Sequence, residues 1–210
     1  SEYISMDHIS TSDSIESSKK TLGRYTFDPN DCYLYYQNTN YLSLSHLRIE
    51  RKVFGLCFDN VGLSTVQRST FSMNDVGFYD YDGDSNWVSS NTFSRNDYGM
   101  IVEDSHDYVI YDNEFNSNID MAIYVDNTYG GLIRLNDIFQ VSQGSGITIE
   151  DCWGTEQTPI EIADNEITSV FHYGIRILHT EHVWMEDNYV MFSYDGIGIE
   201  YSSDIGISKV

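Results

Sequence analysis

The sequence predicts an all-β fold, a parallel β-helix of about eight coils of ~22–23 residues each. A phrase with one small residue followed by alternating apolar side chains recurs along the chain. It reads Phe54-Gly55-Leu56-Cys57-Phe58-Asp59, then Tyr98-Gly99-Met100-Ile101-Val102-Glu103, then Ser145-Gly146-Ile147-Thr148-Ile149-Glu150. The small residue falls at 55, 77, 99, 122, 146, 174 and 196, in steps of 22, 22, 23, 24, 28 and 22 residues. A second phrase, an asparagine with an apolar residue two places later, precedes it by eight to ten residues: Asn91, Asn113, Asn136, Asn165 and Asn188. The apolar pattern has period two and nowhere sustains a period of 3.6, which excludes helical repeats.

Each coil follows from these phrases. The small-residue phrase is one strand and the asparagine phrase a second. Just before the asparagine lies a third apolar pair: Val109 and Tyr111, Leu132 and Arg134, Ile160 and Ile162, Val183 and Met185. Coils stacked ~4.8 Å apart put the asparagines in one column, where their amides bond up and down the stack. One domain over residues 1–210 accounts for the chain. Residues 1–30 are an irregular first coil: Tyr3 to Asp7 fits a strand, Asp13 to Leu22 a short helix or a looped-out turn, and Phe27 to Asn30 a turn. Cys32 falls in the small-residue column of the next coil. Residues 152–159 are a loop insertion, of a kind that maps to one face of a solenoid.

The alternating G-I-x-I and N-x-I phrases resemble the right-handed parallel β-helix repeats of the pectin-lyase-like superfamily, clearly over residues 31 to 210. The resemblance implies the fold and the hand. It implies little about function, because that superfamily holds lyases, hydrolases, phage spikes, adhesins and archaeal surface proteins.

Composition narrows the partners. The net charge is -22, from 33 acids and 11 bases. Nucleic-acid phosphates require a basic face, so no nucleic-acid partner is expected. No apolar run approaches the ~20 residues of a membrane span, so no membrane insertion is expected. The chain starts at Ser1 rather than Met, which reads as a processed or excised start, and an extracellular or cell-surface location is expected. Three cysteines, Cys32, Cys57 and Cys152, leave an odd thiol. Cys152, in the insertion, is the best-placed thiol for an intermolecular disulfide. Cys32 and Cys57 lie in adjacent coils out of register, so they bond each other only if the first coil is shifted.

The outward column of the small-residue strands reads Cys57, Tyr79, Ile101, Tyr124, Thr148, Arg176, Gly198. It suits a contact face between solenoids or a sugar-stacking strip, and equally an ordinary sheet face. Asp80 interrupts an inward apolar column; a local bulge is expected over a buried carboxylate. Acids also stack. Asp104, Asp126, Glu150 and Asp151 form a candidate calcium site, since closely spaced carboxylates repel unless a cation bridges them; no other cofactor is implied. If the protein is an enzyme, the candidate residues are Arg176, Glu150, Glu200, Asp151 and His179. Glu150 and Glu200 share a column two coils apart, ~9–10 Å, near the upper end of the spacing of inverting glycosidases. Pectate-lyase and polygalacturonase signatures are absent. His179 and His182 form a further chelating pair or two surface histidines.

The reading leans away from catalysis. The chain ends within a coil and neither end carries an evident cap. Open coils expose strand edges and core, so the protein itself is the expected partner, stacking end to end into a filament, hoop or sheath-like surface layer. The alternative is a polysaccharide-active lyase or glycoside hydrolase, or a carbohydrate-binding module.

Overall fold

Backbone pairing confirms the coil register. In the computed structural model, which describes residues 20–22 and 25–209, the chain winds into a parallel β-solenoid with three sheets. The first sheet holds the eight small-residue strands, from Cys32–Asn40 to Asp195–Glu200. The second holds eight strands, from Ser43–Ser45 to Ser203–Ser208, and the third holds seven, from Arg48–Glu50 to Tyr189–Met191. Every strand pairs in parallel with its counterpart in the next coil, as Met100↔Ile123↔Ile147↔Ile175↔Ile197 shows.

The core is a set of stacked like residues. Leu56, Phe78, Met100, Ile123, Ile147 and Ile175 fill one interior column of the first sheet. The third sheet contributes Phe71, Phe93 and Phe115, whose rings stack at 5.0 and 4.8 Å with nearly parallel planes. In the second sheet the sequence reading slipped by one residue in two coils. Ile110 and Ile133 are the buried side chains, whereas Val109, Tyr111, Leu132 and Arg134 face outward. A strand of three or four residues gives periodicity too little length to fix the phase.

The small-residue column has a steric cause. A Cβ at Gly77 would lie 2.5 Å from the carbonyl oxygen of Gly99, and a Cβ at Gly99 equally close to that of Ala122. The coils approach there through bare backbone, which only the smallest side chains permit. Elsewhere the corners are made by single residues with left-handed backbone. One such column runs Asn60, Asp82, Asp104, Asn127, Asp151, His179, Tyr201, all with φ between 48° and 53°. Among residues with a Cβ, asparagine and aspartate tolerate that conformation best, which explains their frequency there.

Polar side chains inside the corners close the remaining bonds. Asn113 shows the pattern. Its backbone N–H and its Nδ2 both donate to Asn136 Oδ1, at 3.1 Å each, and Nδ2 also donates to the Val88 carbonyl at 2.9 Å. Its own Oδ1 accepts from the backbone and side chain of Asn91. The ladder runs from Ser69 through Asn91, Asn113, Asn136 and Asn165 to Asn188. A second ladder, Asn74, Asn96 and Asn118, stands at the corner before the first sheet. A third, of smaller groups, runs Thr128, Cys152, Thr180, Ser202.

Three expectations for the first coil and Asp80 are corrected. Strand Lys20–Leu22 pairs antiparallel with Tyr25–Phe27, so the proposed helix over Asp13 to Leu22 does not extend to its end; the rest of that helix and the Tyr3 to Asp7 strand lie outside the described residues. Cys32 pairs with Phe54, one place before the small-residue column. Asp80 is not bulged out. It keeps register with Phe58 and Val102, is buried in the core, and takes Asn86 Nδ2 at 3.1 Å to both oxygens. Burial pushes its pKa up to about 7, and the Asn86 bond only partly offsets this.

Two outcomes test these interactions. Asn113→Ala leaves buried donors of Asn91 unmatched and should cost about 2–4 kcal/mol in chemical denaturation. For Asp80, the folded chain holds a proton that the unfolded chain has released above its ordinary carboxylate pKa. Stability should therefore fall as pH rises from about 4 to 7, and stay reduced above that. Asp80→Asn should flatten that profile and add up to about 4 kcal/mol at pH 8; melting curves across the range decide it.

Candidate functional site

The outer face of the first sheet divides into a covered half and an open half. Cys57, Tyr79 and Ile101 point outward as expected, yet all three are buried. Phe27, from the strand that precedes the solenoid, packs on Phe54 and Tyr79 with ring centroids 5.5 and 4.7 Å away. In the apolar first half of this column the side chains are therefore packed against the chain itself, with Phe27 over Tyr79, and are not a free strip for a sugar or another solenoid. The open half contains Arg176, Tyr173, Glu150, Glu200 and the corner residues beside them.

Donor–acid pairs on this face recur with a period of two coils. Tyr35 donates its hydroxyl to Asp59 in the next coil, Tyr79 to Glu103 at 2.7 Å, and Tyr124 to Glu150 at 3.0 Å; Arg176 Nε meets Glu200 at 3.1 Å. The intervening coils carry Cys57, Ile101, Thr148 and Gly198 in the donor column. Burial, with the neighbouring carboxylate as a further cause, raises the pKa of Tyr79 well above the usual phenol range. These tyrosines are hydrogen-bond donors under all physiological conditions.

The five residues expected at an enzyme site do share one face, in two groups. Arg176 pairs with Glu200 through both Nε and Nη2, and its guanidinium lies 5.6 Å from the Tyr173 ring centre. The Tyr173 ring lies over Gly198, where a Cβ would meet it at 2.4 Å. The guanidinium is thus a stacked, neutralised group and not a free clamp standing in a groove. Glu150, Asp151 and His179 form the second group, with one donor atom from each lying within 4.8 Å of the others. His179 Nδ1 stands 3.4 Å from Asp151 Oδ1, and its ring stacks on Tyr201 at 5.2 Å. The expected calcium set is changed by this geometry. Glu150 and Asp151 stay together, but His179 takes the place of Asp104 and Asp126 in the convergent cluster. Asp104 instead accepts from Asn127 Nδ2 at 2.5 Å. His182 turns to a different corner, facing Asp204 at 3.8 Å, and does not join His179.

A ridge of rings, which the sequence reading missed, runs beside these groups. His106, Tyr129 and Trp153 occupy equivalent corner positions in successive coils, between Asp84 and Glu181. Their ring centroids are 6.3 and 6.4 Å apart, and Trp153 is 43% exposed. The insertion braces the ridge: Thr158 Oγ1 bonds Tyr129 Oη at 2.7 Å and Thr155 Oγ1 at 2.9 Å. The spacing Asp84, His106, Tyr129, Trp153 repeats the coil period and could have been found by extending the column analysis to the turns.

The cysteine expectations are also corrected. Cys32 and Cys57 form a disulfide within the chain, with Cα atoms 6.1 Å apart. The bend at the small-residue column puts Phe54 and Cys57 in one outer cluster with Cys32, so strand register does not measure their separation. Cys152 does not reach the surface. It occupies the Thr128–Thr180 ladder, and burial pushes its thiol up to about 11 despite the Thr128 bonds.

The fold and this face define a right-handed parallel β-helix with a ringed, acidic outer ridge. The chain belongs to the NosD family, described as periplasmic copper-binding protein, whose sequence model matches residues 4–156. Comparison with curated proteins finds no match. Solved structures share the fold at low identity. A periplasmic alginate epimerase superposes with a TM-score of 0.64 at 11% identity, covering 84% of this chain and 47% of that one. A tailspike protein of an Escherichia coli O157:H7 bacteriophage gives 0.65 at 12%, covering 91% and 28%. An alginate lyase from Paenibacillus sp. gives 0.59 at 10%, covering 83% and 76%. The chain spans less than half the length of the first two.

Thiol counting tests the cysteine assignment. Without reductant, the folded protein should resist thiol reagents, and the unfolded chain should expose one thiol; after reduction it should expose three. A disulfide-linked dimer on a non-reducing gel would contradict the pairing.

Proposed function

We propose that this protein is an exported polysaccharide-binding solenoid that works in the periplasm or at the cell surface. The ring ridge of His106, Tyr129 and Trp153 carries the reading. An aromatic ring presents an apolar plate with polar neighbours, which suits the C–H face of a sugar ring bordered by hydroxyls. Three such plates, one per coil, suit a ligand laid along the solenoid axis. Glu181 and Asp84 flank the ridge as hydroxyl acceptors. The alginate epimerase and alginate lyase that share the fold support the ligand class by analogy of fold alone.

Charge refines the choice. A net charge of -22 repels polyuronates, so the favoured ligand is a neutral glycan. Binding is favoured over turnover. Arg176 is neutralised by Glu200, and Asp80, whose pKa is raised, is enclosed in the core and cannot act as a surface acid. The Cys32–Cys57 disulfide supports an oxidising compartment, and the family description names the periplasm. Among the described residues no helix is long and apolar enough to cross a membrane. The end-to-end polymer expected from the sequence gains no support from intermolecular disulfides, since Cys32 and Cys57 bond each other and Cys152 is buried.

The family description also names copper. Glu150, Asp151 and His179 offer one imidazole nitrogen and two carboxylate oxygens, which fits a divalent ion such as Cu(II) and not the thiolate-seeking Cu(I).

Affinity electrophoresis through gels cast with neutral and with uronic-acid polysaccharides tests the binding reading. Neutral glycan should retard the protein, and Trp153→Ala should weaken retardation about tenfold or more. Equal mobility in every gel, or retardation indifferent to Trp153→Ala and Tyr129→Ala, would overturn it.

A further inference from the structure

We infer that Glu150, Asp151 and His179 form a mononuclear site for a divalent transition-metal ion, with coordination positions open to solvent. The site rests on the divalent-ion reading of these three residues given above and is independent of the glycan reading. It draws on His179, which lies beyond the stretch that matches the family model.

The backbone fixes the three donors. Asp151 and His179 hold the same left-handed corner in consecutive coils, with φ of 51° and 48°. Asp151 N–H donates to the Leu178 carbonyl, and His179 N–H donates to that of Glu200, so neither corner can slide along the solenoid axis. Glu150 ends the strand Ser145–Glu150, directly before Asp151. The donor atoms lie within 4.8 Å of one another, and the His179–Asp151 pair is at 3.4 Å. Ligand atoms bonded to one ion at ~2.1 Å stand ~3.0–3.4 Å apart, so small side-chain rotations close the set around an ion.

The surroundings are those of a metal site. Tyr124 Oη donates to Glu150 Oε2 at 3.0 Å, which leaves the other oxygen for an ion. Tyr201 stacks on the His179 ring and fixes its plane. Such outer contacts orient ligands and raise affinity. Two residues before Glu150, on the same outward face, Thr148 keeps a buried hydroxyl with no hydrogen-bond partner among the described residues. That face therefore holds both convergent donors and a buried polar atom unmatched among the described residues. An imidazole beside two carboxylates selects transition ions over calcium, which takes oxygen ligands. Three protein donors leave at least one position for solvent or a ligand, as in sites that act on what they bind.

The test is calorimetric titration of the full chain with Cu(II), Zn(II) and Ca(II) salts, at near-physiological ionic strength and with millimolar calcium as competitor. One equivalent of Cu(II) or Zn(II) should bind. His179→Ala and Asp151→Asn should weaken it about 100-fold, and Tyr124→Phe about tenfold. His46→Ala, at an exposed histidine remote from the cluster, should leave it unchanged. The copper-loaded protein should show a single imidazole nitrogen in its electron paramagnetic resonance spectrum, lost in His179→Ala. Circular dichroism confirms that each variant folds. Equal affinity in wild type and His179→Ala, or displacement of the ion by calcium, would overturn the site and leave only diffuse adsorption to an acidic surface.

Discussion

Everything in this molecule depends on coils resting on one another through backbone at the corners. A strand can find its ladder partners anywhere along an edge, but a corner cannot. Its N–H and C=O groups point along the axis and must be met by the adjoining coil or by a side chain folded inward. The asparagine ladders meet that need from within. The glycines at 77 and 99 allow the contact to close, and the left-handed residues turn the chain in a single step. Register, core stacking and the placement of outward side chains all follow once the corners are fixed.

That constraint explains what could be read from the sequence. A ladder needs the same residue in every coil, so the asparagines at 91, 113, 136, 165 and 188 stand out without any structure, as do the small residues. The five residues singled out for chemistry were placed on the correct face because the first-sheet strands are long enough to set their phase. The two short second-sheet strands were misplaced by one residue for the opposite reason. The Asp80 expectation failed because an inward acid looked too costly, and sequence alone could not reveal Asn86 beside it. The disulfide was hidden by the bend at the small-residue column, which makes distance along a strand a poor guide to distance in space.

The functional face is built differently from the core. The core repeats by likeness, whereas the ridge and the Glu150–Asp151–His179 cluster arise where the repeat is broken. His179 stands in a column otherwise held by asparagine, aspartate and a tyrosine, and Trp153 opens the insertion. Departures from a structural period are where such a scaffold can carry chemistry without endangering its fold.

The pairing of tyrosine or arginine with a carboxylate in the next coil limits which single coils this solenoid can lose. Loss of the coil containing Cys57 and Asp59 would set Tyr35 opposite Tyr81, and loss of the coil containing Thr148 and Glu150 would set Tyr124 opposite Leu178. Either change strands a phenol without its acceptor. Removing or adding two coils together restores every pairing. The constraint is local, since loss of the coil containing Ile101 and Glu103 would set Asp126 where Glu103 had been and leave Tyr79 a carboxylate acceptor.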